Sequence, residues 1–285
     1  MIHETRAEWR DAAHKRVLLF GMSGLGKTRI SSILRDGGWF HYSVDYRIGT
    51  RYMGEHIADN AKAEAMKVPF LRELLLSDGI YIGSNISFNN LSPLSTFLGK
   101  PGDPEKGGVP FSEYMRRQDL HRQAEISALL DTVHFINRAQ SLYGYDHFVC
   151  DTGGSICEVV DADDPNDPVM KALSESTLMV WIKGSDDHTD ALVERFDRAP
   201  KPMYYQPDFL NQNWQDYLAQ QDCTEDEVDP DAFVRWTYAK ALTARQPKYE
   251  AMSKWGITLD ASDVAKVKGT EDFNALIAHA LEQRK

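Results

Sequence analysis

Residues 16–28 read R-V-L-L-F-G-M-S-G-L-G-K-T, which fits G-x-x-x-x-G-K-[ST] over Gly21 to Thr28. Glycines allow a backbone to curl until successive N–H groups converge on phosphate oxygens. The start of a following helix adds the positive end of its dipole. In that arrangement Lys27 reaches the β- and γ-phosphates and Thr28 offers its hydroxyl to Mg2+. The candidate nucleotide residues are therefore Gly21, Met22, Ser23, Gly24, Leu25, Gly26, Lys27 and Thr28, with Arg29 next in line. The chemistry expected of them is binding of ATP with Mg2+.

Two carboxylates stand where strands should end: Asp45 in W-F-H-Y-S-V-D, and Asp151 in H-F-V-C-D-T-G-G-S. Asp151 could support the metal beside Thr28, while Gly153 and Gly154 after it would let a ligand lie against bare backbone. A GTP switch should carry an N-K-x-D base-reading motif, and the sequence has none. A motor ATPase usually has a strand ending in a D-E pair, whereas Asp151 is followed by T-G-G. What remains is a kinase, which needs an acceptor pocket and an arginine-bearing lid.

The elements that must position these residues alternate. Apolar runs suited to buried parallel strands occur at 16–20, 39–44, 146–151, 176–183 and 256–260. Helical patterns follow the glycine-rich loop and cover 55–76, about 112–142, the segment D-A-L-V-E-R-F-D-R, a stretch to about 245, and the end from about 271. This alternation predicts a three-layer α/β/α fold of the P-loop class with five mainly parallel strands. Residues 81–145 interrupt the regular order as a mostly helical insertion, either a cap or a docking segment. Residues 198–235 are expected to form a lid region within one kinase-like domain spanning 1–285.

Composition narrows the partners. The chain has 285 residues and a net charge of −11, which repels phosphate backbones and anionic lipid. Nucleic acid and membranes are not expected partners. Cys150, Cys157 and Cys223 form no C-x-x-C pair and read as reduced thiols, and the N-terminus lacks an apolar leader core. A cytoplasmic location is expected.

The sequence resembles the shikimate kinase family, with gluconate-type kinases as near relatives, in order through separated segments that cover about half of the chain. Asp45 in S-V-D-Y-R-I matches the second aspartate of the family's D-x-D-x-x-I motif, which touches the acceptor hydroxyl. Arg72 in P-F-L-R-E-L-L resembles the arginine of F-R-x-x-E, which grips a substrate carboxylate. D-T-G-G-S resembles the pocket-lining Gly-Gly-Gly segment. I-K-G-S-D-D-H-T-D-A-L-V-E-R-F-D-R resembles the strand, helix and lid entry, which implies Arg195 near the adenine and Arg198 as a lid arginine. R-Q-P-K-Y before the last strand matches R-x-P-x-Y, which implies that Arg245 is a second carboxylate-binding arginine.

The resemblance implies ATP-dependent transfer to a hydroxyl of a small carboxylated metabolite. There are departures: Ser43 stands where the family has its first D-x-D aspartate, Ser155 replaces the third glycine, and the 81–145 insertion is extra. They imply an acceptor other than shikimate. Two alternatives stay open: a nucleoside or nucleotide kinase, and a regulatory NTP-binding protein. In the latter, 81–145 would dock a protein partner or a second copy. Bland readings also stand beside the sharp ones. Asp45 could cap a helix, and Arg72, Arg195 and Arg198 could pair on helix faces. The aromatic cluster Tyr204, Tyr205, Phe209, Trp214 and Tyr217 reads as packing or as a base-stacking surface, and His134 and His188 read as structural or surface residues.

Overall fold

Each predicted apolar run forms a strand in the computed structural model, which describes residues 2–198 and 200–284. The side chains of Asp186, Asp187, Thr189, Asp190 and Arg195 lie outside the described set. In chain order the elements begin α1 (Arg6–Asp11), β1 (Arg16–Phe20), α2 (Lys27–Asp36), β2 (Trp39–Ser43), α3 (Val44–Arg47), α4 (Gly54–Ala65), α5 (Pro69–Leu76) and α6 (Ser92–Leu98). They continue with α7 (Phe111–Ser141), β3 (His147–Asp151), α8 (Pro168–Ser176), β4 (Leu178–Lys183) and α9 (Asp186–Arg198). The last are α10 (Pro207–Gln221), α11 (Pro230–Ser253), β5 (Ile257–Asp260), α12 (Ala261–Val264) and α13 (Thr270–Gln283).

All strand pairs are parallel, in the order β2-β3-β1-β4-β5. The chain steps from β1 to one side and returns to the other side for β4. With right-handed crossovers this reversal puts the connecting helices on opposite faces, giving the α/β/α layering. It also places β1 and β3 at the switch point, where loops diverge from the carboxyl ends of the strands. Both faces are covered, which is why Val17, Leu18, Leu19 and Phe20 are all fully buried.

The chain divides into two compact units. The first comprises residues 1–44, 125–199 and 235–285 and holds the whole sheet; the second comprises 45–124 and 200–234. In the first unit, Trp39 packs between Trp9 and Phe273 at ring distances of 6.4 and 6.3 Å, and Trp9 donates its indole N–H to the carbonyl of Asn274. In the second unit, Trp214 stacks on Phe111 at 4.5 Å and meets the edge of Phe233 at 4.8 Å. Gln118 of α7 holds the loop that leads into α10, donating to the carbonyl of Met203 and accepting from the amide of Tyr205. Tyr204, Tyr205, Trp214 and Tyr217 are buried, so this aromatic cluster is core packing of the second unit.

Some elements depart from the sequence reading for identifiable reasons. The helical stretch at 55–76 is two helices, because Pro69 forces Val68 into an extended conformation (φ −97°, ψ 114°) and starts a new helix. Conversely, α11 runs on past 245 to Ser253 through Pro247. Proline costs that helix a hydrogen bond, but Tyr249 and Met252 beyond it are fully buried and hold the last turns in place. Asp167 caps α8, accepting from the amides of Val169 and Met170 at 2.9 and 2.8 Å. No helix among the described residues is long and apolar enough to cross a membrane.

Candidate active site

The glycine-rich loop leaves the carboxyl end of β1 and enters α2. Gly21, Gly24 and Gly26 all have positive φ, at 134°, 84° and 96°. At Gly21 a side chain is excluded twice over, since an added Cβ would lie 2.5 Å from the carbonyl oxygen of Ile182 on the neighbouring strand. Gly26 is the N-cap of α2 and brings no capping side chain, so the first-turn N–H groups face the loop's hollow. Lys27 is buried and folds back across the loop, donating to the carbonyls of Gly21 and Met22 at 2.7 and 2.9 Å. Thr28 and Ser23 are exposed. Three positive-φ glycines, a helix start without a capping side chain and a lysine curled over the loop fit a polyphosphate.

Strand β3 delivers its last residue beside this loop. Asp151 pairs in register with Leu19 of β1 and Ser43 of β2 and is buried. The His41 ring nitrogen Nε2 lies 3.8 Å from its carboxylate. Thr152 donates its hydroxyl to the carbonyl of Leu19 at 2.9 Å, pinning the turn to β1. Gly154 then passes against the loop itself: an added Cβ there would sit 3.3 Å from the amide nitrogen of Ser23. Ser155 donates to Glu125 Oε1 at 2.8 Å, so the residue in the third-glycine position is anchored to α7.

A buried charged cluster backs the turn. Glu158 accepts from Arg245 Nε at 2.8 Å and from Lys248 Nζ at 2.5 Å. Burial favours the neutral form of the Glu158 carboxyl, but the two cations outweigh it and hold its pKa below the usual value. Burial likewise opposes the charge of Arg245, and the neighbouring Cys157, Glu158 and Tyr249 more than offset it, leaving its pKa raised. Burial pushes the Cys157 thiol up to about 11. Tyr249 donates to the carbonyl of Gly154 at 2.5 Å, and Gln246 approaches the sulfur of Met22 at 3.6 Å. One face of α11 therefore touches both the glycine-rich loop and the turn after β3.

On the other side of the loop a cavity of about 180 Å3 is lined by Gly24, Leu25, Gly26, Arg29, His188 and Val264. Arg29 donates to the carbonyls of Val264 and Val267 at 3.2 and 2.5 Å and so fixes the segment after β5 beside the loop. His188, read from sequence as a structural or surface residue, lines this cavity, with Nδ1 2.8 Å from the hydroxyl of Ser185.

The remaining candidates lie elsewhere. Asp45 is half-buried at the start of α3, and Arg72 is exposed on α5; both belong to the second unit. Arg72 donates from Nε to the carbonyl of Met66 at 2.8 Å, satisfying the end of α4. Arg198, on α9 in the first unit, is exposed and pairs with Glu194 one turn back. Arg195 lies outside the described residues. Arg245, expected to bind a substrate carboxylate, is enclosed, and its Nε already holds Glu158. Glu158 carries no motif of its own, whereas Gln246, Lys248 and Tyr249 fell inside the R-Q-P-K-Y segment, and Gly24, Leu25 and Gly26 of the cavity lining fell inside the glycine-rich one.

No protein-family model and no curated protein matches the chain. Among solved structures it is similar to a shikimate kinase from Bacteroides thetaiotaomicron, with 15% identity, 94% of this chain and 97% of that chain covered, and a TM-score of 0.41. At that degree of likeness the fold rests on the chain's own strand order and glycine-rich loop, and no residue role is taken from the neighbour.

Proposed function

We propose that the protein is an ATP-dependent phosphotransferase acting on a hydroxyl of a small, carboxylated metabolite. The observation that carries this reading is the approach of Gly154 to Ser23, which sets bare backbone and the buried Asp151 directly beside the phosphate loop. An acceptor lying on that backbone would have its hydroxyl near the terminal phosphate held by the loop. Phosphoryl transfer requires little beyond such positioning and charge neutralisation.

Lys27 exchanges its two carbonyl partners for phosphate oxygens. Bound Mg2+ would neutralise the phosphates, with Thr28 and Asp151 to hold it. Among the described residues no group of three or more His, Cys, Asp or Glu side chains is gathered for a metal. Such a cation would take its other ligands from phosphate and water, as Mg2+ commonly does. Asp45, two residues beyond Ser43, orients the acceptor hydroxyl, and Arg198 serves as the mobile cation that meets the transferring group.

The test is ADP release in a coupled assay with a panel of hydroxy acids and polyols, with Lys27→Ala as the control. Turnover that appears only with a panel member supports transfer. Slow hydrolysis that ignores the panel yet rises with an added protein partner overturns it.

A further inference from the structure

We propose that Lys248 is the anion-binding group of the acceptor pocket, held in place by Glu158 and Arg245, and that the group it meets is the acceptor's carboxylate. This rests on the phosphotransferase reading and moves the role that the motif gave to Arg245 by one helical turn.

The three charges are unequally placed. The side chains of Glu158 and Arg245 keep only 2% and 3% of their surface exposed, whereas Lys248 keeps 37%. A solute could not reach the Arg245 guanidinium unless the turn after β3 opened. The Lys248 ammonium can be reached as it stands.

Charge and donor count point the same way. One carboxylate shared between two cations neutralises neither fully, so the ammonium keeps attraction for a further anion. An ammonium has three donors, and Glu158 Oε2 takes one of them at 2.5 Å. A cluster serving only to staple the turn to α11 would be complete with the Arg245–Glu158 pair. A second cation would then add desolvation cost without need.

The location also fits. Tyr249, the next residue, is tied to the carbonyl of Gly154 at 2.5 Å, and Glu158 lies four residues beyond that glycine. The ammonium is therefore fixed beside the turn whose backbone approaches the phosphate loop. Arg245 and Glu158 act as positioning residues, orienting Lys248 without touching the ligand.

The experiment titrates ADP and, separately, tartrate as a hydroxy-dicarboxylate probe into the wild type, Lys248→Gln, Lys248→Arg and Lys27→Ala by calorimetry. Lys248→Gln should weaken tartrate about tenfold or more and leave ADP binding unchanged. Lys248→Arg should restore tartrate binding to within a few fold, and added salt should weaken it in the wild type. Lys27→Ala should lose ADP and keep tartrate. Equal tartrate affinity in the wild type and Lys248→Gln, or no tartrate binding by the wild type, overturns the proposal. Loss of folding in Lys248→Gln with normal folding and unchanged tartrate binding in Glu158→Gln also overturns it, since Lys248 would then be a staple. Failure of the phosphotransferase reading shows separately, as ATP hydrolysis in the coupled assay that no member of the acceptor panel stimulates.

Discussion

Tyr249 holds the carbonyl of Gly154 at 2.5 Å, while an added Cβ on that same glycine would lie 3.3 Å from the amide nitrogen of Ser23. The turn after β3 and the glycine-rich loop are thus packed backbone to backbone at this point. Gly154→Ala should force the two apart by a few tenths of an ångström. We expect the ATP KM and the acceptor KM to rise together, several-fold or more, with little change in melting temperature. A change in the acceptor KM alone would show that the contact does not shape the phosphate site.

Lys27 gives a sharper outcome. Its ammonium is buried against two carbonyls, so Lys27→Ala removes both the phosphate contact and the partner of those oxygens. Nucleotide affinity should fall below detection. Unpaired buried carbonyls should also cost about 1–3 kcal/mol of stability, read as a lower urea midpoint. Lys27→Arg should not rescue binding, because a planar guanidinium does not reproduce the compact ammonium held 2.7 and 2.9 Å from the carbonyls of Gly21 and Met22.

How far the sequence showed these features depends on whether their signal was local. The glycine-rich loop was legible because three positive-φ glycines and a lysine occur at fixed spacing. The strands were legible because a sheet covered on both faces requires unbroken apolar runs such as V-L-L-F. Glu158 was not legible, since its partners lie 87 and 90 residues away, and only folding brings them to it. The end of α11 was misread because Pro247 is a strong local stop signal, which the burial of Tyr249 and Met252 overrides. The insertion at 81–145 and the lid region at 198–235 were read as separate segments; the second compact unit groups residues 45–124 with 200–234, a grouping carried by long-range contacts such as Phe111 on Trp214.

His121 should make the second unit acid-sensitive. Burial lowers its pKa from 6.5 to about 4, and it stacks on Tyr204 at 5.3 Å. Between those two values the unfolded chain binds a proton that the folded chain does not. Stability is therefore full above pH 6.5 and falls by up to about 1.4 kcal/mol per pH unit on the way down to about 4. Urea titrations from pH 7 to 4 should show this loss in the wild type and a shallower one in His121→Phe. Identical slopes would mean that the ring is charged in the folded state.

Asp45 tests the catalytic assignment most directly, because its position at the head of α3 also allows a purely structural role. As the group that orients the acceptor hydroxyl, it should lower kcat by about 10²-fold or more when changed to Asn, with ATP affinity preserved. The side chains are nearly isosteric, so the melting temperature should move by only a degree or two if orientation is its task. Retained kcat in Asp45→Asn would return Asp45 to a structural role in the first turn of α3, where Asn serves as well as Asp.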